Sequence, residues 1–366
     1  MQPGKLSKRQ VMGLLLPFVL STDVLMIPGA PLELARRGAW LSSLLATFLG
    51  VGLTFFIVKL VSWQPRLRVT ERFRRLLGRG PGTITGLVFT LFIFFSYILV
   101  IREGSELVRI SFLPDTPLDV ITAGLTLVSM YGALLGMEAV SRFNILVFPF
   151  FLLSFILLFL AALSHPEWTN LWHPLQSGIG CVIAGAFAPL SWLGELVVIV
   201  FLIPDLSPGE QGTPFFLFFV TLGAGCLMTL NIVTIQISLG WGLGQFYTFP
   251  ILQVGRSLFS RESLRGLDVL IMTLWVMGVA TKLSFLLYYG LHEICHIFRV
   301  RNMKSLILPG GLLFQVLSLT SMDSVKELEY VTRYLAPFLA LGTYEGIIPI
   351  LLFPLILRYL KKEGGV

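Results

Sequence analysis

Between two long apolar runs the chain carries seven basic residues, Lys59, Arg66, Arg68, Arg72, Arg74, Arg75 and Arg79, against a single acid, Glu71. Loops rich in Lys and Arg stay on the cytoplasmic face of a bilayer, and apolar runs of about 20 residues cross it. A chain that alternates the two is an integral membrane protein with a readable orientation. Hydrophobic residues at 55%, charged residues at 13% and a mean hydropathy of +0.84 leave too little polar surface for a soluble domain of useful size. The formal charge of +7 sits in loops that flank the apolar runs, without an aromatic-interleaved basic surface. It points to anionic membrane lipids as neighbours and away from nucleic acid. Cys181, Cys226 and Cys295 lie far apart, in or beside apolar runs, so neither a disulfide framework nor a cysteine metal site is expected. The run after the basic stretch Leu6 to Gln10 contains Asp23 and Pro28 and no small-residue cleavage site, which argues against a cleavable signal.

Ten runs have spanning length, at about 10–36, 39–63, 81–110, 117–136, 142–163, 178–204, 213–239, 266–296, 305–320 and 335–358. With the N-terminus inside, 17 basic residues fall on the inner side: Lys5, Lys8, Arg9, the seven of the first gap, Arg142, Arg299, Arg301, Lys304, Arg358, Lys361 and Lys362. The outer side receives 9, and Lys282 lies within a span. Both termini are therefore predicted to be cytoplasmic. Residues 1–366 are read as one transmembrane domain. Ten spans divide into two halves of five, about 10–163 and 178–358, which an odd number of crossings leaves inverted.

Spans one and six then occupy equivalent places, and both are interrupted: Ser21-Thr22-Asp23-Val24 with Pro28-Gly29 in the first, Pro189-Leu190-Ser191-Trp192 with Gly194-Glu195 in the second. Matched interruptions in two halves are the strongest sequence pointer to a binding site at the midplane. A helix unwound in the bilayer exposes amides and carbonyls that a ligand, an ion or a neighbouring helix must satisfy. An ionisable group at a span centre costs about 2.5–3.5 kcal/mol on insertion, so one that is present should face a partner or a cavity. Asp23, Glu195 and Lys282 meet that description. Lys282 is apolar-flanked on nearly every side, either as a tie to Glu195 or Asp23 or as an ammonium standing in a cation's place. Arg102, Glu103 and Glu106 are expected to form an interfacial charge cluster at the outer end of span three. Tyr97 and Trp192 are candidate walls for an apolar side-chain pocket.

His292-Glu293-Ile294-Cys295-His296 matches the H-E-x-x-H zinc-protease pattern literally. The other histidines, His165 and His173, belong to the opposite outer loop, so a third ligand is missing. The motif also falls at the inner end of span eight, where polar residues belong anyway. No zinc catalysis is expected from it. Phosphate-binding, nucleophile-elbow and dinucleotide motifs are absent, which removes anchors for ATP-driven or hydrolytic chemistry; Gly240-Trp241-Gly242-Leu243-Gly244 reads as punctuation. No enzyme activity and no cofactor is predicted.

The pieces Ser7-Lys8-Arg9-Gln10, Ser21-Thr22-Asp23-Val24-Leu25 with Ile27-Pro28-Gly29, Ala39-Trp40-Leu41-Ser42, Phe112-Leu113-Pro114-Asp115-Thr116-Pro117, Gly136-Met137-Glu138 with Arg142, Leu193-Gly194-Glu195, and Trp275, Gly278 and Lys282 occur in an order that covers essentially the whole chain. Together they resemble the amino acid–polyamine–organocation transporter superfamily, and within it the B subunit of spore germinant receptors. Asp23 stands where that family more often has Gly. The resemblance implies an all-α fold of ten transmembrane helices, a five-plus-five inverted repeat of the LeuT type with helices one and six broken. It also implies a ligand site between helices one, three, six and eight, built from Ser21, Thr22, Asp23, Val24, Tyr97, Pro189, Leu190, Ser191, Trp192, Gly194 and Glu195. Lys282 would be a coupling or ion-surrogate residue, since span eight of sodium-coupled relatives helps hold a cation.

The function so implied is a nutrient germinant sensor for a small molecule, with an amino acid as the natural ligand, acting in the spore inner membrane with receptor A and C subunits as partners. A proton- or cation-coupled amino-acid transporter of the same architecture is the alternative, and an intramembrane protease is remote.

Overall fold

In the computed structural model, residues 6–207, 214–258 and 267–363 are described. The order of helices is α1 Lys8–Met26, α2 Gly29–Leu34, α3 Ala39–Ser62, α4 Val69–Leu77, α5 Arg79–Ser111, α6 Leu118–Leu135, α7 Met137–Ala162, α8 Ile179–Gly185, α9 Phe187–Gly194, α10 Ile199–Leu202, α11 Phe216–Gly244, α12 Pro250–Leu258, α13 Leu267–Phe298, α14 Lys304–Thr320, α15 Val325–Tyr330, α16 Ala336–Leu341 and α17 Ile347–Glu363. Among the described residues, seven helical stretches are long and apolar enough to cross a membrane, or eight if the pair 304–320 and 325–341, bent by 103°, counts as one. The expected count of ten is not reached on that measure. Span one is cut into α1 and α2, and α17 is short. Spans nine and ten also divide differently from the prediction: residues 335–341 belong to the bent stretch, and turns from Gly342 to Gly346 precede α17.

Local chemistry explains where the helices begin and stop. Ser7 opens α1 with a reciprocal cap, its hydroxyl accepting from the Gln10 amide at 3.2 Å while the Gln10 side chain accepts from the Ser7 amide at 2.8 Å. Pro28 ends it, because the ring has no N–H for the carbonyl four residues earlier. Gly136, at φ 87°, joins α6 to α7 through a conformation that a side chain would strain. Gly240, at φ 72°, kinks α11, and a further helical turn runs to Gly244 where only a loop was expected.

Helix α13 packs on α1, α5, α6, α7 and α14, so it is the central element. Helices α3 and α11 lie against each other through small and hydroxylic residues. Thr54 and Thr221 share a hydrogen bond of 2.7 Å, Ser43 and Thr229 one of 3.0 Å, and a Cβ on Gly225 would lie 2.4 Å from the Thr47 side chain. Membrane helices associate through such close approach, since lipid tails are as apolar as leucine. Leu127, Leu146, Phe150, Leu308 and Leu313 are exposed on α6, α7 and α14, which suits a lipid-facing surface. The chain is a multi-pass integral membrane protein.

One end of the bundle gathers the segments predicted to lie inside. A large cleft there is lined by Leu6, Arg68, Arg74, Glu138, Arg299, Arg301 and Lys304 among others. Leu6 pairs with the segment after α10, its amide donating to the Asp205 carbonyl at 2.9 Å and its carbonyl accepting from the Ser207 amide at 2.9 Å. Six of the seven gap basics border water or half-buried surface, whereas Arg72 is buried. Burial pushes the Arg72 guanidinium down to about 10 against the pull of the nearby Glu293 charge, and the side chain donates to the Leu67 carbonyl at 3.1 Å.

Candidate functional site

Helix six is a chain of short pieces, α8, α9, the 3₁₀ turn Glu195–Val198, α10 and a second 3₁₀ turn Ile203–Asp205. Pro189 occupies the first turn of α9, the place where a missing N–H costs least. Helix one bends at Ile27 and Pro28, and both residues keep right-handed helical angles. The helices are broken as expected, but the breaks are bends in a compact backbone and leave no unwound stretch of the kind that would expose amides and carbonyls. Ser21 and Thr22 lie within α1, above the bend. The two breaks still face each other: Ile27 and Ala30 cluster with Ala188, Trp192 and Met228.

Lys282 reaches between them from α13. Its ammonium donates to Glu195 Oε2 at 2.6 Å and to the Thr22 hydroxyl at 2.7 Å, and lies over the rings of Phe18 at 4.7 Å and Trp192 at 4.8 Å. Both charged side chains are almost wholly enclosed. A buried ion pair survives only when geometry and additional hydrogen bonds offset desolvation, which the hydroxyl and the two aromatic faces help to do. Helix α13 approaches α1 closely at this level, since a Cβ on Gly278 would sit 2.8 Å from Ser21 Cβ. The Ser21 hydroxyl, fully buried, has no hydrogen-bond partner among the described residues.

Beside this pair lies a small cavity, walled by Phe92, Phe95, Ser96, Leu99 and Val100 of α5, by Ser191, Trp192 and Glu195 of helix six, and by Ala336, Pro337, Ala340, Tyr344 and Glu345. Ser191 donates its hydroxyl to Glu345 Oε2 at 2.9 Å. Gly194 allows this carboxylate in, because a Cβ there would lie 2.8 Å from the same oxygen. Pro189 is buried and Leu190 half-buried, and neither reaches the cavity wall. Tyr97 is also absent from the wall; its hydroxyl shares a 2.7 Å hydrogen bond with Ser129 of α6. Asp23 and Val24 lie in α1, and their side chains fall outside the described residues.

Two further polar clusters lie away from this cavity. Arg102, Glu103 and Glu106 are buried among the helices. Arg109 and Glu106 pair at 2.6 Å and Arg102 and Glu106 at 3.5 Å, while both oxygens of Glu103 have no hydrogen-bond partner among the described residues. Glu293 of the H-E-x-x-H motif accepts from the Thr70 amide at 2.9 Å and from the Thr70 hydroxyl at 2.5 Å. It thereby caps the N-terminus of α4, and the carboxylate that would be the base of a protease is committed to this contact. Glu345 was missed altogether. The signal was present, an acid within the apolar run 335–358, and the test that selected Glu195 would have found it.

The spore germination protein family matches residues 5–325. The chain belongs to that family. Spore germination protein KB of Bacillus subtilis is 26% identical over 99% of this chain and 97% of its own length, and spore germination protein YndE of the same organism is 22% identical over 99% and 98%. Among solved structures, the nucleobase-cation-symport-1 transporter MHP1, with bromovinylhydantoin bound, aligns at a TM-score of 0.68 with 12% identity, over 98% of this chain and 80% of that one. MhsT in complex with L-phenylalanine aligns at 0.64 with 12% identity, over 97% and 96%. At such identities the likeness shows the fold, which is that of the LeuT-type transporters. This germination protein is therefore transporter-like, and its family is not one of enzymes.

Proposed function

We propose that this chain is the ligand-sensing subunit of a spore germination receptor, binding a small nutrient molecule, an amino acid by preference, at mid-membrane. The observation that carries the reading is the constellation of Lys282, Glu195 and Thr22 beside a cavity that shares Glu195 and Trp192 with it, in a germination-family chain of transporter fold. Ligand entry beside an ion pair that ties α1, helix six and α13 would shift the balance among those elements, and partner A and C subunits would read that shift. In this reading Lys282 stands where a coupled cation would sit, the domain is a single unit of two inverted halves, and the end that gathers Arg68, Arg74 and Arg299 to Lys304 faces the cytoplasm with both termini, in the spore inner membrane. A coupled amino-acid transporter is the second reading, favoured by the fold shared with MHP1 and MhsT.

The deciding experiment pairs a thermal-shift screen of amino acids on the purified chain with uptake of the hit into proteoliposomes. Binding without uptake, lost on bulky replacement of Ser21 or Ser191, is the expected result. Uptake driven by a proton or cation gradient would establish the transporter, and normal binding by both bulky variants would move the site elsewhere.

A further inference from the structure

Helix α5 carries one acid that the site described above leaves unused. Glu103 is 1% exposed, and neither of its oxygens meets a hydrogen-bond donor among the described residues. Its charged neighbours on the same helix are engaged elsewhere. Arg102 donates to the Ser318 carbonyl at 3.4 Å and approaches Glu106 at 3.5 Å, and Glu106 pairs with Arg109 at 2.6 Å. Leu99, Val100, Ile101 and Leu107 are buried on the turns to either side. The seam with α13 is tight at this level, because a Cβ on Gly104 would lie 2.7 Å from Val279 Cγ1. Glu103 takes no part in the wall of the cavity beside Lys282.

The charges that act on Glu103 are Lys282 of α13, which attracts a carboxylate there, and Glu195 of helix six, which repels it. On α1 the acid nearest in sequence to this level is Asp23, whose side chain lies outside the described residues. On α6, α14 and α15, which also pack on α5, Asp119, Lys304, Lys326 and Glu327 are exposed. The basic helix α4 lies against Gly82 and Gly86, near the other end of α5. Lys282 directs its ammonium at Glu195, at 2.6 Å, and at Thr22, at 2.7 Å. One ammonium thus stands against two carboxyl groups, and of these Glu195 is the one bonded to it. A second negative charge enclosed beside this pair is costly, and a carboxyl group escapes the cost by holding a proton.

We propose that Glu103 is a proton-binding site of the folded chain, neutral while Lys282 is bonded to Glu195 and competing with Glu195 for the ammonium once its proton leaves. In that step the O–H bond of the Glu103 carboxyl breaks, the proton passes to solvent, and the carboxylate left behind draws on the same ammonium as Glu195. The tie between helix six and α13 is weakened, although every residue of it is still present. The small cation linked to this tie is then a proton seated on α5, and Lys282 keeps its charge throughout. The proton site belongs to the folded chain itself and holds for a sensor and for a transporter alike.

The test uses the full chain in lipid nanodiscs, read by infrared spectroscopy near neutral pH. A protonated carboxyl has a carbonyl-stretch band that a carboxylate lacks, and heavy water shifts it. The parent is expected to show such a band, Glu103→Gln to lose it, and Asp23→Asn and Glu345→Gln to keep it. Competition for the ammonium is read in Glu195→Gln, where Lys282 has lost its bonded carboxylate. Glu103 should then give up its proton to pair with Lys282, and the band should vanish although Glu103 is unchanged. A neutral, unbonded carboxyl is replaceable, so Glu103→Gln and Glu103→Leu should both fold, with unfolding midpoints at or above that of the parent. The proposal is overturned if the parent lacks the band, if the band survives in Glu103→Gln or in Glu195→Gln, or if neither Glu103 variant folds, since the chain would then need the negative charge. None of these readings uses a ligand. A failed amino-acid screen therefore leaves the proton site standing, and a missing band leaves the sensing role standing.

Discussion

Helix α13 carries polar side chains at two levels, and the two are built for different ends. At Lys282 the surroundings are the middle of the bundle, where a cation, a carboxylate, a hydroxyl and two rings from three different elements meet. Three turns on, at Glu293, the carboxylate clamps a single neighbour, the first turn of α4, through the amide and hydroxyl of Thr70. In the sensing role proposed above, the first arrangement would join the parts that a ligand has to move. The second fastens the basic α4 segment over the end of the bundle, where nothing need move. Two buried acids on or against one helix thus read as a coupling element and a fastening, distinguished by how many independent elements each one touches.

The largest effect is expected from Lys282→Ala. It leaves Glu195 buried without its cation, and loss of one partner of such a pair costs about 3–5 kcal/mol. Thermal unfolding in detergent measures it. Replacing both Lys282 and Glu195 with Leu should recover most of the stability, because well-packed apolar groups often match a buried ion pair, yet should abolish ligand response. A double variant that senses ligand normally would erase the distinction between the two levels of α13.

Glu293→Ala should cost less, about 1–3 kcal/mol for two donors left without an acceptor. The effect should be local. Amide hydrogen exchange over residues 69–77 should quicken while exchange around Lys282 stays as in the parent. If ligand response collapses together with α4 docking, the fastening is part of the switch.

Tyr97→Phe tests a position at the level of the cavity. The lost hydrogen bond to Ser129 amounts to about 1 kcal/mol, and ligand affinity should not change, because the hydroxyl faces α6. A loss of affinity exceeding the loss of stability would return Tyr97 to the ligand site.

Much of this was legible in the chain. The membrane class followed from apolar run length, the paired interruptions from proline and glycine at matching places, and the singling out of Glu195 and Lys282 from charges too costly to bury idly; the LeuT-type fold and the grouping of Ser191 and Trp192 with them came from the resemblance to the family. Other features depended on three-dimensional facts. Pro28 marks where helix one breaks, but only the structure shows that the backbone bends there without unwinding, leaving Ser21 and Thr22 in regular helix. Tyr97 turns its hydroxyl to Ser129 of α6 and away from the cavity wall, and a sequence without contacts does not give azimuth within an all-apolar helix, whose faces are not distinguished by hydropathy. Glu345 escaped notice because span ten was read by its hydropathy, and its partner Ser191 is 154 residues away. Glu293 looked like part of a metal motif because spacing alone cannot reveal that the carboxylate has α4 to cap.

The smallest effect is expected where the geometry looks just as good. Arg142 and Glu138 pair at 2.6 Å, the same separation as Lys282 and Glu195, but with 72% and 42% of their side chains exposed against 0% and 7%. Water and salt screen the exposed pair, and holding two long side chains together costs entropy, so Glu138→Gln should change stability by no more than about 0.5 kcal/mol. Raising the salt concentration should shrink even that difference, while leaving the cost of Lys282→Ala nearly unchanged because ions do not reach the enclosed pair. Parallel unfolding curves of the two variants at low and high salt measure both. A salt-sensitive Lys282 variant would mean that water penetrates to the centre of the bundle, and the contrast between a buried coupling element and a surface pair of equal length would then lose its physical basis.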